Sequence, residues 1–421
     1  MNQDDIYGND LDRRRFLKVF AAGVSATVVP KAFGGLEMAE SNAVTLPPQR
    51  APIVEAKEVD PSPALAPRQR IGFAIVGLGQ IAIDQVLPAF AQSKYARPVA
   101  LVSGHRPKAE KIAAQYGIPP AAIFDYASFE RLAEIPEVQV IYIALPNSLH
   151  AEYTIRAAKI GKHVLCEKPM AVTVAEGEQM AEACEKAGVK LMIAYRSQYE
   201  PMDRALEKLI REGVIGKPLH FVASNTQDMG DPGQWRLKQD LAGGGPLVDV
   251  GIYCLNAARF LSGEEPYEVT GQTSRLPEDP RFHEVESSAQ FMLQFPSGLS
   301  AACNCSYDSH RSQFFRLEGS AGWAEMSPAF AYKGLKLRYG RTVDGTDVVT
   351  DVNIEAKDQF ALELDHMAEC VVEGRTPLTP GAEGIQDLRI ITAIYDAARS
   401  GQTIPIKPVS ATRGPALKQE A

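Results

Sequence analysis

Several short stretches carry residue types whose spacing can do chemistry. Gly77-Leu78-Gly79-Gln80-Ile81-Ala82 follows the apolar run Ile71-Gly72-Phe73-Ala74-Ile75-Val76 and precedes a helix-like stretch reaching about residue 92. In such a turn the first glycine permits the sharp reversal and the second lets a pyrophosphate approach the backbone. The third position needs only a small residue for helix–strand packing. Backbone N–H groups at the helix start, around Gln80 and Ile81, then face the phosphates. The chemistry is dinucleotide binding, against the plainer reading of an ordinary turn.

The end of the second apolar run, Pro98-Val99-Ala100-Leu101-Val102-Ser103, says which dinucleotide. An Asp or Glu at this point bonds the ribose hydroxyls of NAD. Here the chain continues Ser103-Gly104-His105-Arg106-Pro107-Lys108 with no carboxylate. A carboxylate would repel a 2′-phosphate, whereas Ser103 can donate to it and Lys108 or Arg106 can neutralise it. The stretch therefore favours NADP over a mere basic surface loop.

Three more clusters follow strand-like runs or glycine turns. Leu145-Pro146-Asn147-Ser148-Leu149-His150 lies at a strand's C-terminal end, where cofactors sit in open parallel sheets; Asn147 can also cap the next helix. His150 reads equally as a cofactor contact and as a helix-surface residue. Cys166-Glu167-Lys168-Pro169-Met170 puts a lysine at the same sheet edge beside a turn-fixing proline, with Glu167 as salt-bridge partner and solvation as the bland account of Lys168. Gly243-Gly244-Gly245-Pro246 runs into Leu247-Val248-Asp249-Val250-Gly251-Ile252-Tyr253, where Asp249 and Tyr253 share one helical face. Gln234-Trp235-Arg236 places one of two tryptophans beside a guanidinium in a loop, as a packing anchor or a functional loop.

These clusters need elements to hold them. Runs at 138–145, 163–165 and 191–195 repeat the pattern of the first two strands, each separated by a helix-like segment. That alternation predicts crossover units and a doubly wound parallel sheet. Beyond about Arg196 the strands at 219–224, 267–273, 288–295, 299–307 and 314–318 mostly lack intervening helices and read as an antiparallel sheet. Helices near 358–372 and 384–399 close the chain. The expected architecture is α/β: an N-terminal Rossmann domain over 71–195 and an α+β substrate and oligomerisation domain over 196–410, with a large, mainly antiparallel open sheet and a tail over 411–421.

Composition agrees with two domains. The chain has 421 residues, 45% hydrophobic and 23% charged, with a formal net charge of -8. That balance argues against general affinity for nucleic acid, and past the N-terminus no apolar run is long enough to span a bilayer. Residues 1–43 read as an export signal: Arg13-Arg14-Arg15-Phe16-Leu17-Lys18 precedes a short apolar stretch and resembles a twin-arginine leader. Residues 44–70, rich in proline, read as an extended arm or a linker. The six cysteines show no metal-like spacing; free, mostly buried thiols and no metal are expected.

Taken together, the glycine turn, Leu145-Pro146-Asn147-Ser148-Leu149-His150, Glu167-Lys168-Pro169 and Asp249…Tyr253 resemble the Gfo/Idh/MocA family of sugar and inositol dehydrogenases over about residues 71–406. Glu363-Leu364-Asp365-His366 and Ala393-Ile394-Tyr395-Asp396-Ala397-Ala398 belong to the same resemblance. The leader, the Pro-rich arm, Val102-Ser103-Gly104, Trp235-Arg236 and tyrosine at 253 narrow it to the glucose–fructose and aldose–aldose oxidoreductase group. The resemblance implies a periplasmic enzyme with tightly bound, non-exchanging NADP, in which one sugar reduces the cofactor and a second reoxidises it. It implies that Lys168 contacts the reacting sugar, that Tyr253 is the acid/base, and that Asp249 orients the site. Ser103 and Lys108 match 2′-phosphate positions; Tyr126 and Arg196 match cofactor-lining ones. With them we place Gly77, Gly79, Gln80, Ile81, Gly104, His105, Leu145, Pro146, Asn147, His150, Glu167, Lys168, Trp235 and Arg236 around the cofactor. A nearby Lys168 ammonium would favour the Tyr253 phenolate. A homodimer or homotetramer and an arm lying over the cofactor are further implications. A conventional dehydrogenase with exchanging NAD(P) would keep the same motifs, and members of this fold also serve as non-catalytic sensors.

Overall fold

The computed structural model describes residues 66, 69–409 and 412–414. The expected export signal lies outside these residues, as do all of the arm but Ala66 and residues 69–70, and most of the tail.

Six parallel strands form the first sheet: β1 (Ile71–Val76), β2 (Ala96–Val102), β3 (Ile123–Phe124), β4 (Val138–Ile143), β5 (His163–Glu167) and β6 (Leu191–Ala194). Their order is β3-β2-β1-β4-β5-β6. Every residue of β1 is buried, as a strand covered by helices on both faces must be. Strand order reverses between β1 and β4, and a crevice opens there at the strands' C-terminal ends. The helix after the glycine turn is wound wide over Ala82–Val86, where the Leu87 N–H reaches the Ala82 carbonyl, and ends as Leu87–Ala89. Pro88 has no N–H to give, and the wide turn carries the chain past it. This helix stops short of the expected residue 92.

The second sheet has nine strands: β7 (Pro218–Asp228), β8 (Glu268–Ser274), β9 (Ser288–Gln294), β10 (Ser300–Ser306), β11 (Asp308–Gly319), β12 (Gly322–Met326), β13 (Leu337–Val343), β14 (Thr346–Val352) and β15 (Ile404–Pro405). They lie in the order β14-β13-β12-β11-β7-β10-β9-β8-β15. All neighbours are antiparallel except β7 and β10. The sheet is mainly antiparallel, as expected, with this one parallel pair: between β7 and β10 the chain inserts helices and the β8–β9 hairpin, a crossover long enough to return in the same direction. Helices Ile252–Ser262 and Gly381–Ser400 cover one face. In β9, Ala289, Phe291 and Leu293 face inward while Gln290 and Met292 face out. The outward face keeps Val222 and Met292 at 46% and 45% exposure.

The two sheets are tied together by the C-terminal part of the chain. The Ile193 N–H donates to the Thr379 carbonyl at 2.8 Å, and Met192 bridges Pro380, so residues 379–380 cover the outer edge of β6. Asp365 accepts from the Ser93 hydroxyl and from the N–H groups of Lys94 and Tyr95, at 3.0 and 2.9 Å for the latter two, pinning the turn that enters β2.

Candidate active site

At the crevice, Gly77 has φ +90°, and a Cβ there would fall 2.4 Å from the Ala144 carbonyl oxygen. Glycine is required by both conformation and space. Gly79 differs: none of the described residues lies within 4 Å of where its Cβ would be. This is the open approach that a pyrophosphate needs, with Gln80 exposed and Ile81 half-buried beside it. Lys108 extends its ammonium to the Leu78 carbonyl at 2.8 Å, over this turn. Buried Ser103 accepts from the His105 N–H at 3.1 Å, and His105 Nδ1 caps the helix Arg106–Tyr116 by accepting from the Lys108 N–H. A Cβ on Gly104 would touch the Tyr126 ring at 3.3 Å. Arg106, the other candidate for the phosphate, is committed to Glu110 and to the Ile123 and Pro120 carbonyls. Lys108 is left as the cation at the turn, and the residues present fit NADP.

Two expectations at the next strand end need correction. Asn147 does not cap the following helix; its Nδ2 donates to the Ala242 carbonyl at 2.8 Å and so reaches the second half of the chain. His150 is neither on the helix surface nor open to a ligand. It is fully buried, with Nδ1 2.8 Å from the Pro169 carbonyl and Nε2 2.9 Å from the Leu145 carbonyl. Two carbonyls would favour the doubly protonated ring, but burial outweighs them and lowers its pKa. His150 thus fixes the loops carrying Leu145-Pro146 and Lys168-Pro169. Leu145 itself packs against Gly77, while Pro146 is half-buried beside it.

The centre of the site is Asp249. It lies in a wide helical turn, Leu247–Gly251, which continues as the helix Ile252–Ser262 bearing Tyr253. Such wide turns often mark functional positions. Lys168, from the end of β5, donates to the Asp249 carboxylate at 3.0 Å and to its backbone carbonyl at 2.8 Å. The Tyr307 hydroxyl donates to the other carboxylate oxygen at 2.6 Å, and Arg236 Nε stands 3.2 Å from it. Trp235 supports Arg236, whose guanidinium lies 4.6 Å from the ring centroid.

The charges in this cluster are set by competition. Burial would raise the Asp249 pKa, but Lys168, Arg236 and the Tyr307 hydroxyl hold it well below the usual carboxylate range. Burial pulls Lys168 down, and Asp249 more than restores it, so the ammonium is retained. Arg236 behaves in the same way. Burial, reinforced by Asp249, pushes Tyr307 well up and keeps it a neutral donor. A carboxylate held this firmly is a poor base; it positions its neighbours. Tyr253 is half-buried between two cations, with Lys168 Nζ 4.7 Å and Arg196 Cζ 4.8 Å from its ring centroid. Both cations thus bear on the ring face of Tyr253 at cation–π range.

Arg196 is itself buried, donating to the Phe330 carbonyl at 2.7 Å and to Gln359, with the Tyr332 ring 4.6 Å away. Glu167 is buried beneath Lys168 and accepts from the Tyr142 hydroxyl at 2.8 Å. Its place is under the site, without the surface needed for broad contact with a ligand. Sequence reasoning missed Tyr307, Tyr332 and Tyr142. Each ends or interrupts an apolar run, and only the tertiary pairing distinguishes it from a core residue.

With this geometry, the comparisons with known proteins are consistent. Residues 71–195 match the model described as "Oxidoreductase family, NAD-binding Rossmann fold", and residues 204–325 match the GFO/IDH/MocA C-terminal domain. The D-xylose 1-dehydrogenase [NADP(+)] of Haloarcula marismortui is 34% identical over 343 residues, covering 79% of this chain and 92% of the relative. The D-xylose 1-dehydrogenase (NADP(+)) 2 of Haloferax volcanii is 32% identical over 339 residues, covering 79% and 99%. The crystal structure of aldose-aldose oxidoreductase from Caulobacter crescentus superposes with a TM-score of 0.77 at 45% identity, over 80% of this chain and 100% of that one. The chain belongs to the GFO/IDH/MocA oxidoreductase family.

Proposed function

We propose that this protein is an exported sugar oxidoreductase with tightly held NADP, oxidising an aldose to its lactone and reducing a second sugar, fructose or another aldose, to an alditol by a ping-pong route. The observation that carries this reading is the meeting of Lys168 from the parallel sheet with Asp249 and Tyr253 from the second half of the chain. The activities of the aldose–aldose and xylose relatives support sugars as the substrate class.

NADP, when bound by the glycine turn with Ser103 and Lys108, supplies the hydride acceptor and donor. Tyr253 takes the hydroxyl proton of the aldose as its C–H bond breaks, and the hydroxyl carbon becomes a carbonyl. In the second half-reaction Tyr253 returns that proton to the oxygen of the incoming carbonyl. Lys168 orients the reacting oxygen, and its ammonium and the Arg196 guanidinium stand over the Tyr253 ring on which the proton is carried. Asp249, held by Tyr307 and Arg236, keeps the ammonium in place.

Export by the twin-arginine leader gives the retained cofactor its rationale: a periplasmic enzyme that released NADPH would have little free nucleotide to replace it. The partly apolar outward face of the second sheet, with Val222 and Met292, supports self-association into a homodimer or homotetramer. The test is to purify the mature protein without added nucleotide, denature it, and identify what is released. Near-stoichiometric NADP supports the closed shuttle. An empty protein that turns over only with added NAD(P) establishes an exchanging dehydrogenase instead.

A further inference from the structure

Glu363 lies on the helix Gln359–Glu373, in the Glu363-Leu364-Asp365-His366 stretch. Its two charged or titratable neighbours there have structural tasks. Asp365 pins residues 93–95, and His366 accepts from the Leu378 N–H at 2.9 Å. Glu363 has no such task. It is 0% exposed, and neither carboxyl oxygen has a hydrogen-bond partner among the described residues.

The groups acting on Glu363 are those beneath the candidate site. Its helix packs on the turn between β6 and the next helix: Arg196 donates to Gln359, four residues before Glu363, and the Tyr199 ring lies 5.0 Å from that of His366, three residues after it. Glu167 at the end of β5 and Tyr142 on β4 act on Glu363 through their charge and burial. Glu167 has what a charged carboxylate requires: the Tyr142 hydroxyl on one oxygen, the Lys168 backbone N–H at 3.3 Å on the other, and the Lys168 and Arg196 charges nearby. Glu363 has none of these bonds. Two buried carboxyls in one neighbourhood with donors for only one do not both ionise. An unpaired buried carboxylate would cost far more than a buried neutral acid.

We propose that Glu363 is kept as a neutral carboxylic acid and acts as a positioning residue, setting the charge of the Glu167–Lys168 unit and thereby the field at Tyr253. With Glu363 neutral, three cations (Lys168, Arg196, Arg236) face two carboxylates (Glu167, Asp249), and the cluster keeps one net positive charge. That excess sets the field at Tyr253. Ionising Glu363 would cancel it. Burial and the Glu167 charge both favour the protonated form. The effect on Tyr253 rests on the function proposed above, but the protonation state of Glu363 does not.

The test is Glu363→Gln, which preserves shape and neutrality. A buried acid that holds its proton loses stability as pH rises above the unfolded value of about 4.3, because the native state then carries a proton that the unfolded state has released. The variant has no such proton. The melting temperature of E363Q minus that of the native protein should therefore rise by several degrees between about pH 5 and about pH 8. A difference that stays flat or falls over that range would overturn the neutral acid. Infrared difference spectra, native minus E363Q at neutral pH, should show a protonated-carboxyl band; its absence would overturn the assignment even if the variant folds poorly. The alkaline limb of kcat/KM should move to higher pH in E363Q, and an unmoved limb would overturn the effect on Tyr253 alone.

Discussion

Asp249→Asn removes one negative charge from the cluster and leaves its shape almost unchanged. In the native protein that carboxylate receives Lys168 at 3.0 Å and Tyr307 at 2.6 Å, with Arg236 at 3.2 Å. The Lys168 and Asp249 side chains are only 8% and 16% exposed, so solvent screens the pair weakly. Removing one partner of a buried ion pair costs about 3–5 kcal/mol, and an amide that still offers one oxygen to Lys168 places the loss near about 3 kcal/mol. At about 2–4 °C per kcal/mol for a domain of this size class, the melting temperature should fall by about 6–12 °C. The pH window follows from the signs. Asp249, with its pKa lowered, contributes stability above its unfolded pKa of about 3.9 and loses it as pH falls through the folded value. Lys168, with its pKa raised, contributes below about 10.4 and loses it as pH rises further. The gap between native protein and variant should thus be widest between those limits. Without Asp249, burial at Lys168 loses its main counterweight, the ammonium loses its anchor, and kcat/KM should drop by about 10–100-fold. Thermal melts across pH and steady-state kinetics on an aldose check both figures. A variant melting with the native protein, with kcat/KM within about twofold, would refute Asp249 as the organising charge.

Tyr253→Phe should lower kcat by about 100–10,000-fold through loss of the proton carrier, while nucleotide released on denaturation stays at the native level. Tyr307→Phe removes one charge-assisted donor from Asp249; kcat should fall by about tenfold or more with KM little changed, as steady-state kinetics would show. Lys108→Ala should weaken binding of NADP by about 10–100-fold and that of NAD hardly at all, measured by titrating nucleotide-free protein.

Local chemistry made part of this site legible. The glycine turn, the missing carboxylate after β2, Lys168 and the Asp249–Tyr253 spacing all depend on neighbours within a few residues. They are readable wherever an apolar run changes into a turn or helix. Strands β13 and β14 escaped that reading, because β14 is exposed over most of its length and β13 over much of it. Such strands carry no apolar period to detect. The parallel pairing of β7 with β10 joins segments far apart in sequence, and nothing local specifies it. Tyr307 closes β10 and reads as one more strand residue until the Leu247–Gly251 turn is laid against it. His150 shows the opposite failure: its position suggested a ligand, but packing claimed both ring nitrogens.

The way residues 379–380 close the edge of β6 also bears on how the protein is made. On a ribosome the six parallel strands emerge first, yet β6 gains its cover only once residue 380 has been synthesised. The second sheet waits longer still, since β15 seals β8 with residues 404–405. A nascent chain therefore leaves the β6 edge open from residue 194 to residue 380 and the β8 edge open from residue 274 to residue 404, and such edges invite pairing with other chains. Stop codons placed shortly before residue 380 or residue 404 should yield products that bind chaperones or aggregate, even though they contain every residue of the Lys168–Asp249–Tyr253 cluster.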